Sequence, residues 1–168
     1  MIPDAKINEF VQRMRKGFED TPYPGDDNIG TTGIEAIEED LVGIRWQDVT
    51  FQHLWDLRGG MYFLKPDAFR YYLPAFLLGI LQFANRLDAF PETFIPFLIP
   101  PSPSISFDKY NIEERLFLAL DTLSAEQKEL VGLCLKMIAE VYPESDWSLL
   151  ETPKALDQAI AYWSLYIT

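Results

Sequence analysis

The sequence predicts an all-α fold, a single-domain bundle of about six or seven helices with a Pro-rich extended segment near 91–103. Three observations carry this reading. Apolar residues recur at helical spacing in most segments. Caps and breakers bracket those segments. No stretch alternates polar and apolar residues as a half-buried strand does, and no internal repeat or heptad is present. The 168 residues suit one domain, 1–168. A chain of this length buries roughly 70% of its unfolded surface and needs no staples. Twelve Phe, eight Tyr and four Trp predict a core rich in rings.

The elements follow in order. Ile7, Phe10, Val11, Met14 and Phe18 share one face of a first helix, which Pro22 and Pro24 end near Asp20. The segment TPYPGDDNIGTTG is turn chemistry. Thr32 and Glu35 make a Thr-x-x-Glu capping box for a second helix with Ile34, Ile37 and Leu41 inward, stopping at Gly43. A third helix fits Phe51 to Arg58, with Phe51, Leu54 and Trp55 inward and Gly59-Gly60 beyond it. Residues 61–64, MYFL, read as a short extended piece.

Pro66 and Asp67 suit the first turn of a fourth helix. Phe69, Tyr72, Leu73, Phe76, Ile80 and Phe83 form its stripe, and Pro74 is expected to kink or split it. Five prolines at 91, 96, 100, 101 and 103 argue against regular helix there. The interleaved Phe94, Ile95, Phe97, Leu98 and Ile99 are too apolar for a free linker, so the segment is expected to pack on the domain. Asn111 and Glu114 cap a helix with Ile112, Leu116, Ala119 and Leu120. Ser124 and Gln127 form a second capping box, opening a helix with Leu130, Leu133, Cys134, Met137 and Val141 that ends near Pro143. Thr152 and Pro153 start the last helix, with Leu156, Ala159, Ile160, Trp163 and Ile167 inward.

Charge and cysteine content exclude several functions. The net charge is −12, from 26 acids against 14 bases. Phosphate neutralisation needs Lys and Arg, so nucleic acid is not expected as a partner. The single cysteine, Cys134, forms no intramolecular disulfide and no thiolate metal cluster. MIPDAKINEF has neither a basic nor an apolar leader region. The most apolar stretch, YYLPAFLLGIL at 71–81, is far shorter than the ~20 residues a spanning helix needs. A cytoplasmic protein without membrane contact is the expectation.

Two blocks stand out together, PYPGDDNI at 22–29 and FLKPDAFRYYLPAFL at 63–77, with GIRW at 43–46 between them and LSAEQK opening the C-terminal half. With them the chain resembles an uncharacterised bacterial family of small soluble proteins marked by PYPGDDNI and FRYYLPAFL-type blocks. The resemblance covers most of the chain. It implies one complete bacterial domain and carries no activity, so no residue inherits a role from it.

Candidate functional residues are weighed against plainer roles. Between Gly17 and Ile44 lie eight acids (Glu19, Asp20, Asp26, Asp27, Glu35, Glu38, Glu39 and Asp40) and no Lys or Arg. A single-sign surface suits a basic partner or a cation, although charge runs also serve as solvated faces. Asp26-Asp27-Asn28 offers oxygens to a divalent cation. The EF-hand template fails, with Thr31 at position 6 and Ile37 at position 12, and a turn explains the same residues. His53 is the only histidine; Asp56, three residues on, is a helical neighbour able to raise its pKa. Its apolar flanks fit a half-buried packing residue better than a catalytic base. Cys134 lies on an apolar stripe. Glu35 with Glu38 or Glu39 can share a helix face, but a di-iron site needs more histidines than one, and paired carboxylates for hydrolysis are a weak signal in a chain with 26 acids. Arg70 and Tyr71 complete the set: Tyr71 is set about 100° from Tyr72, so both rings need not be buried, and Arg70 can fork onto a carboxylate of the acidic region. No Gly-rich phosphate loop is present.

The leading expectation is a non-enzymatic acidic interaction protein, antitoxin-like, immunity-like or regulatory. It would hold a basic protein through Asp26, Asp27, Glu35, Glu38, Glu39, Arg70 and Tyr71, with no cofactor and no metal. One alternative is a small-molecule- or divalent-metal-dependent enzyme using Asp26 and Asp27 with Arg70 or Tyr71. Another is a structural subunit of an assembly, contacting its neighbours through 91–103.

Overall fold

A computed structural model describes residues 4–30, 41–101, 112–143 and 151–168. Seven α-helices build these residues: α1 (Asp4–Gly17), α2 (Phe51–Leu57), α3 (Pro66–Phe83), α4 (Phe90–Phe94), α5 (Ile112–Ala119), α6 (Ala125–Val141) and α7 (Glu151–Trp163). No strand occurs among the described residues; Gly30 and Leu64 form a lone antiparallel bridge. The all-α expectation is met.

The bundle is arranged around α3. Every residue from Tyr71 to Leu81 is buried, so the most apolar stretch of the chain is the centre of its core. A helix apolar on all sides needs neighbours on all sides. α1, α2, α5 and α6 pack directly on it, and α7 packs in turn on α6. No helix among the described residues is long and apolar enough to cross a membrane. Pro74 does not split α3, which runs from Pro66 to Phe83. The ring leaves the carbonyl of Arg70 without its i+4 donor. Burial of Pro74 and its neighbours holds the helix together across that gap.

The Pro-rich segment corrects the sequence reading. It is helical over most of its length, with α4 at Phe90–Phe94 followed by a 3₁₀ turn at Ile95–Leu98. Extended backbone begins only at Ile99. Pro91 and Pro96 each fall in the first turn of their helix, where a missing N–H costs nothing. The expected packing is present: Phe94, Ile95, Phe97 and Leu98 are all buried. The indole Nε1–H of Trp163 donates to Leu98 O at 2.8 Å and ties the segment to α7. Residues 61–63 are likewise a 3₁₀ turn rather than an extended piece; only Leu64, in its bridge with Gly30, is extended.

Capping follows the sequence at α6. Ser124 Oγ accepts from Gln127 N–H while Gln127 Oε1 accepts from Ser124 N–H, both at 3.1 Å. Gly43 adopts φ +73°, the left-handed turn expected of a residue closing a helix. The Thr32–Glu35 box, Ile34, Ile37 and Asn111 lie outside the described residues.

Candidate functional site

The two sequence blocks and the GIRW link between them meet in one hydrogen-bonded knot of tyrosines on α3. Tyr72 Oη lies 2.8 Å from both Leu41 O and Ile44 O, to which its proton is shared. Tyr71 Oη accepts from Trp46 N–H at 3.4 Å. Tyr23 stacks edge-on against Tyr71 at 5.3 Å, and Tyr71 against Tyr72 at 4.9 Å. The Trp46 indole donates to Phe18 O at 3.3 Å. Each hydroxyl thus satisfies a loop backbone group that burial would otherwise orphan. Burial drives the Tyr72 pKa well above the ordinary tyrosine value, with the nearby Tyr23 and Tyr71 adding to it.

Tyr23 connects this knot to the acidic turn. Its hydroxyl donates to Asp26 Oδ1 at 2.7 Å and accepts from Gly43 N–H at 2.8 Å. Desolvation, then the bond to Asp26, raise its pKa. Asp26, Asp27 and Asn28 form a 3₁₀ turn that Asn28 closes by donating to Pro24 O at 2.9 Å. Lys65 clamps the turn from the far side: its N–H donates to Ile29 O at 2.9 Å and its Nζ to Asp27 O at 2.5 Å. That ammonium engages a backbone carbonyl, not a carboxylate.

The turn therefore projects its acids outward. Glu19, Asp20, Asp26 and Asp27 are exposed, and none forms an ion pair among the described residues. Tyr23, bonded to Asp26, is 36% exposed, and Tyr62 and Phe63 are exposed at 41% and 39%. Tyr62 and Phe63 belong to the 3₁₀ turn before Leu64, and the Tyr62 ring packs edge-on against Phe97 at 5.1 Å.

Several expected site residues lie elsewhere. Tyr71 is 4% exposed and Tyr72 fully buried, so the two rings share the core despite their angular separation. The 18–30 and 41–46 segments cover the side of α3 that Tyr71 occupies. Arg70 does not reach the acidic region. It donates to Thr122 Oγ1 at 2.7 Å and sits 3.7 Å from Asp67, in its own helix's first turn. His53 does not pair with Asp56. Its Nδ1 accepts from Thr50 N–H at 3.0 Å and completes a capping box for α2, while Asp56 accepts from Gln52 at 2.9 Å. Cys134 is fully buried, which pushes its thiol pKa up and keeps it protonated. Glu35, Glu38 and Glu39 lie outside the described residues.

Among the described residues, no three His, Cys, Asp or Glu side chains converge as a metal ion requires. None of the three clefts that stand out on the surface is lined by Asp26, Asp27, Arg70 or Tyr71. One of them, between α1, residues 46–54 and α3, escaped the sequence reading because its walls come from three distant segments.

Fold and site together define an all-α domain with a tyrosine-pinned acidic turn. The chain belongs to a family of unknown function, DUF6714, whose family model matches residues 7–167. No curated protein and no solved structure matches it.

Proposed function

We propose that the chain is a non-enzymatic binding protein of the bacterial cytoplasm that holds a basic protein on the acidic surface of residues 19–40. One observation carries the reading: Glu19, Asp20, Asp26 and Asp27 are held outward with no cation paired to them among the described residues. Unneutralised like charges repel, and a partner's Lys and Arg would relieve that repulsion. The exposed Tyr23 ring, bonded to Asp26, suits the same partner, because guanidinium and ammonium groups sit favourably on aromatic faces. Glu35, Glu38 and Glu39 extend the acidic surface in sequence. Tyr71 acts here as a support behind the surface, and Arg70, bonded to Thr122, takes no part in it. The structural-subunit alternative loses its motive, because Phe94, Phe97 and Leu98 face the core.

The test is retention of the tagged chain's partner from native lysate at low and then high salt. A stoichiometric basic protein, released by salt and lost on the double reversal D26K/D27K, is the expected result. Retention that ignores both salt and the reversal would sink the proposal.

A further inference from the structure

The cleft between α1 and α6 is built to suit a molecule carrying one charge of each sign. The two helices run antiparallel, with Arg13 meeting Glu129 and Gly17 meeting Gln127 and Leu130. They touch at Gly17, whose carbonyl accepts from Gln127 Nε2 at 3.1 Å and where a Cβ would overlap the Leu130 side chain. Beyond that contact a cleft of about 300 Å³ lies between them. Its floor is apolar, made by Phe10, Leu133 and Met137 at the edge of the core. A single water needs only about 10–15 Å³, so the space is of small-ligand size.

The rim carries charges of both signs that do not meet. The register set by Arg13–Glu129 and Gly17–Leu130 brings Glu9 level with Lys136 and Lys6 level with Glu140. Each level thus sets a lysine on one helix against a glutamate on the other. Arg13 and Glu129 close their gap to 2.8 Å, but Lys6, Glu9, Lys136 and Glu140 form no ion pair among the described residues. All four are exposed and free to turn toward a ligand. Their charges cancel, so a lone anion or cation meets as much repulsion as attraction. A zwitterion pairs with both signs at once.

We infer that this cleft binds a dipeptide with free termini and apolar side chains, lying across it from one helix to the other. Its ammonium pairs with a glutamate and its carboxylate with the lysine facing that glutamate, Glu9 with Lys136 or Glu140 with Lys6. Its side chains cover Phe10, Leu133 and Met137. Length selects the dipeptide. Packed helix axes lie about 8–10 Å apart, and two extended residues span about 7 Å. A single amino acid carries both charges on one carbon and reaches only one wall. This site is separate from the acidic surface and does not depend on it.

The experiment is a titration of the full ¹⁵N-labelled chain with leucyl-leucine, read at the backbone amides of residues 6–13 and 133–140. The comparison probes are N-acetyl-leucyl-leucine without the ammonium, leucyl-leucinamide without the carboxylate, and glycyl-glycine without the side chains. Leucyl-leucine is expected to shift these signals and saturate in the millimolar range, with each comparison probe about fivefold weaker or more. The double variant Glu9→Gln with Glu140→Gln is expected to weaken leucyl-leucine about fivefold and leave the acetylated peptide unchanged. Lys6→Gln with Lys136→Gln is expected to do the same, with the amide as the unchanged probe. All four positions are exposed, and the amide spectrum itself shows that each variant is folded. Absence of saturation, equal binding of the blocked peptides or of glycyl-glycine, or indifference to either double variant would each overturn the inference.

Discussion

Trp163 is the joint on which the C-terminal half depends, and Trp163→Phe tests it directly. The side chain is 1% exposed, and its Nε1–H donates to Leu98 O at 2.8 Å. Phenylalanine keeps a ring but removes the donor and part of the indole's bulk. Orphaning the buried carbonyl costs about 1–3 kcal/mol. Trimming the ring adds about 1–2 kcal/mol, well below the ~3–5 kcal/mol of truncating Trp to Ala. The expected loss is thus about 2–5 kcal/mol. At about 2–4 °C per kcal/mol for a chain of this size, Tm should fall by about 5–20 °C. Urea unfolding followed by far-UV circular dichroism reads the stability, and an unchanged m-value shows that the same surface is exposed. Amide exchange should rise most at residues 95–98, which lose their tie to α7. Leu165→Ala, at a position 78% exposed, is the control and should move stability by less than about 0.5 kcal/mol. A Trp163→Phe loss under about 1 kcal/mol, or exchange that rises evenly along the chain, would refute the pinning argument.

Three further outcomes follow from the same contacts. Gly132→Ala should destabilise despite a helix-propensity gain of about 1 kcal/mol, because a Cβ there would lie 2.7 Å from Trp163 O, a backbone atom that cannot rotate aside; a rise in Tm would contradict this. Thr50→Ala removes the α2 cap and its His53 partner and should cost about 1 kcal/mol in denaturant unfolding; no measurable loss would show the cap to be idle. Tyr23, Tyr72 and Tyr162 all have raised pKa values, Tyr162 pushed up to about 12 by burial and then by its bond to Tyr166. Unfolded tyrosine ionises near pH ~10, so the stability these groups contribute is complete below that pH and is lost as pH rises toward their folded values. Absorbance titration near 295 nm should show a late-ionising fraction of the eight tyrosines that vanishes in denaturant; a single ordinary transition in the native chain would contradict it.

Most of the fold was legible because helices announce themselves locally. The stripe of α1, the Ser124–Gln127 box and the apolar run at 71–81 each depend on neighbours a few residues away. What was not legible depends on distant partners or on exceptions to local rules. Five prolines argued against helix at 91–103, yet Pro91 and Pro96 sit in first turns where the backbone tolerates them. Thr50 and His53 form a capping box, but the usual pattern ends in Glu or Gln, and only the structure shows an imidazole nitrogen taking that part. Tyr71 was free to face solvent on helical geometry alone. What buries it is chain from 23 and 46, which no periodicity in 66–83 reports.

The residues most distinctive in sequence are mainly structural in space. PYPGDDNI, GIRW and FRYYLPAFL are far apart along the chain, and Tyr23, Gly43, Ile44, Trp46, Tyr71 and Tyr72 join them through hydroxyl–backbone bonds. Such a knot needs particular residues: phenylalanine at 72 would take the hydroxyl from Ile44 O and leave Leu41 O only the N–H of Ile44, and a smaller side chain at 71 would leave Tyr23 without its ring contact. Its product is the acidic turn. The Tyr23 hydroxyl that orients Asp26 is itself positioned by Gly43 N–H, and the Tyr23 ring by Tyr71. The direction of the Asp26 carboxylate is therefore set from within the core. A surface positioned this way is presented without paying the ordering entropy of a free loop when a partner arrives, a physical advantage for a binding surface that would go unused in a merely solvated one.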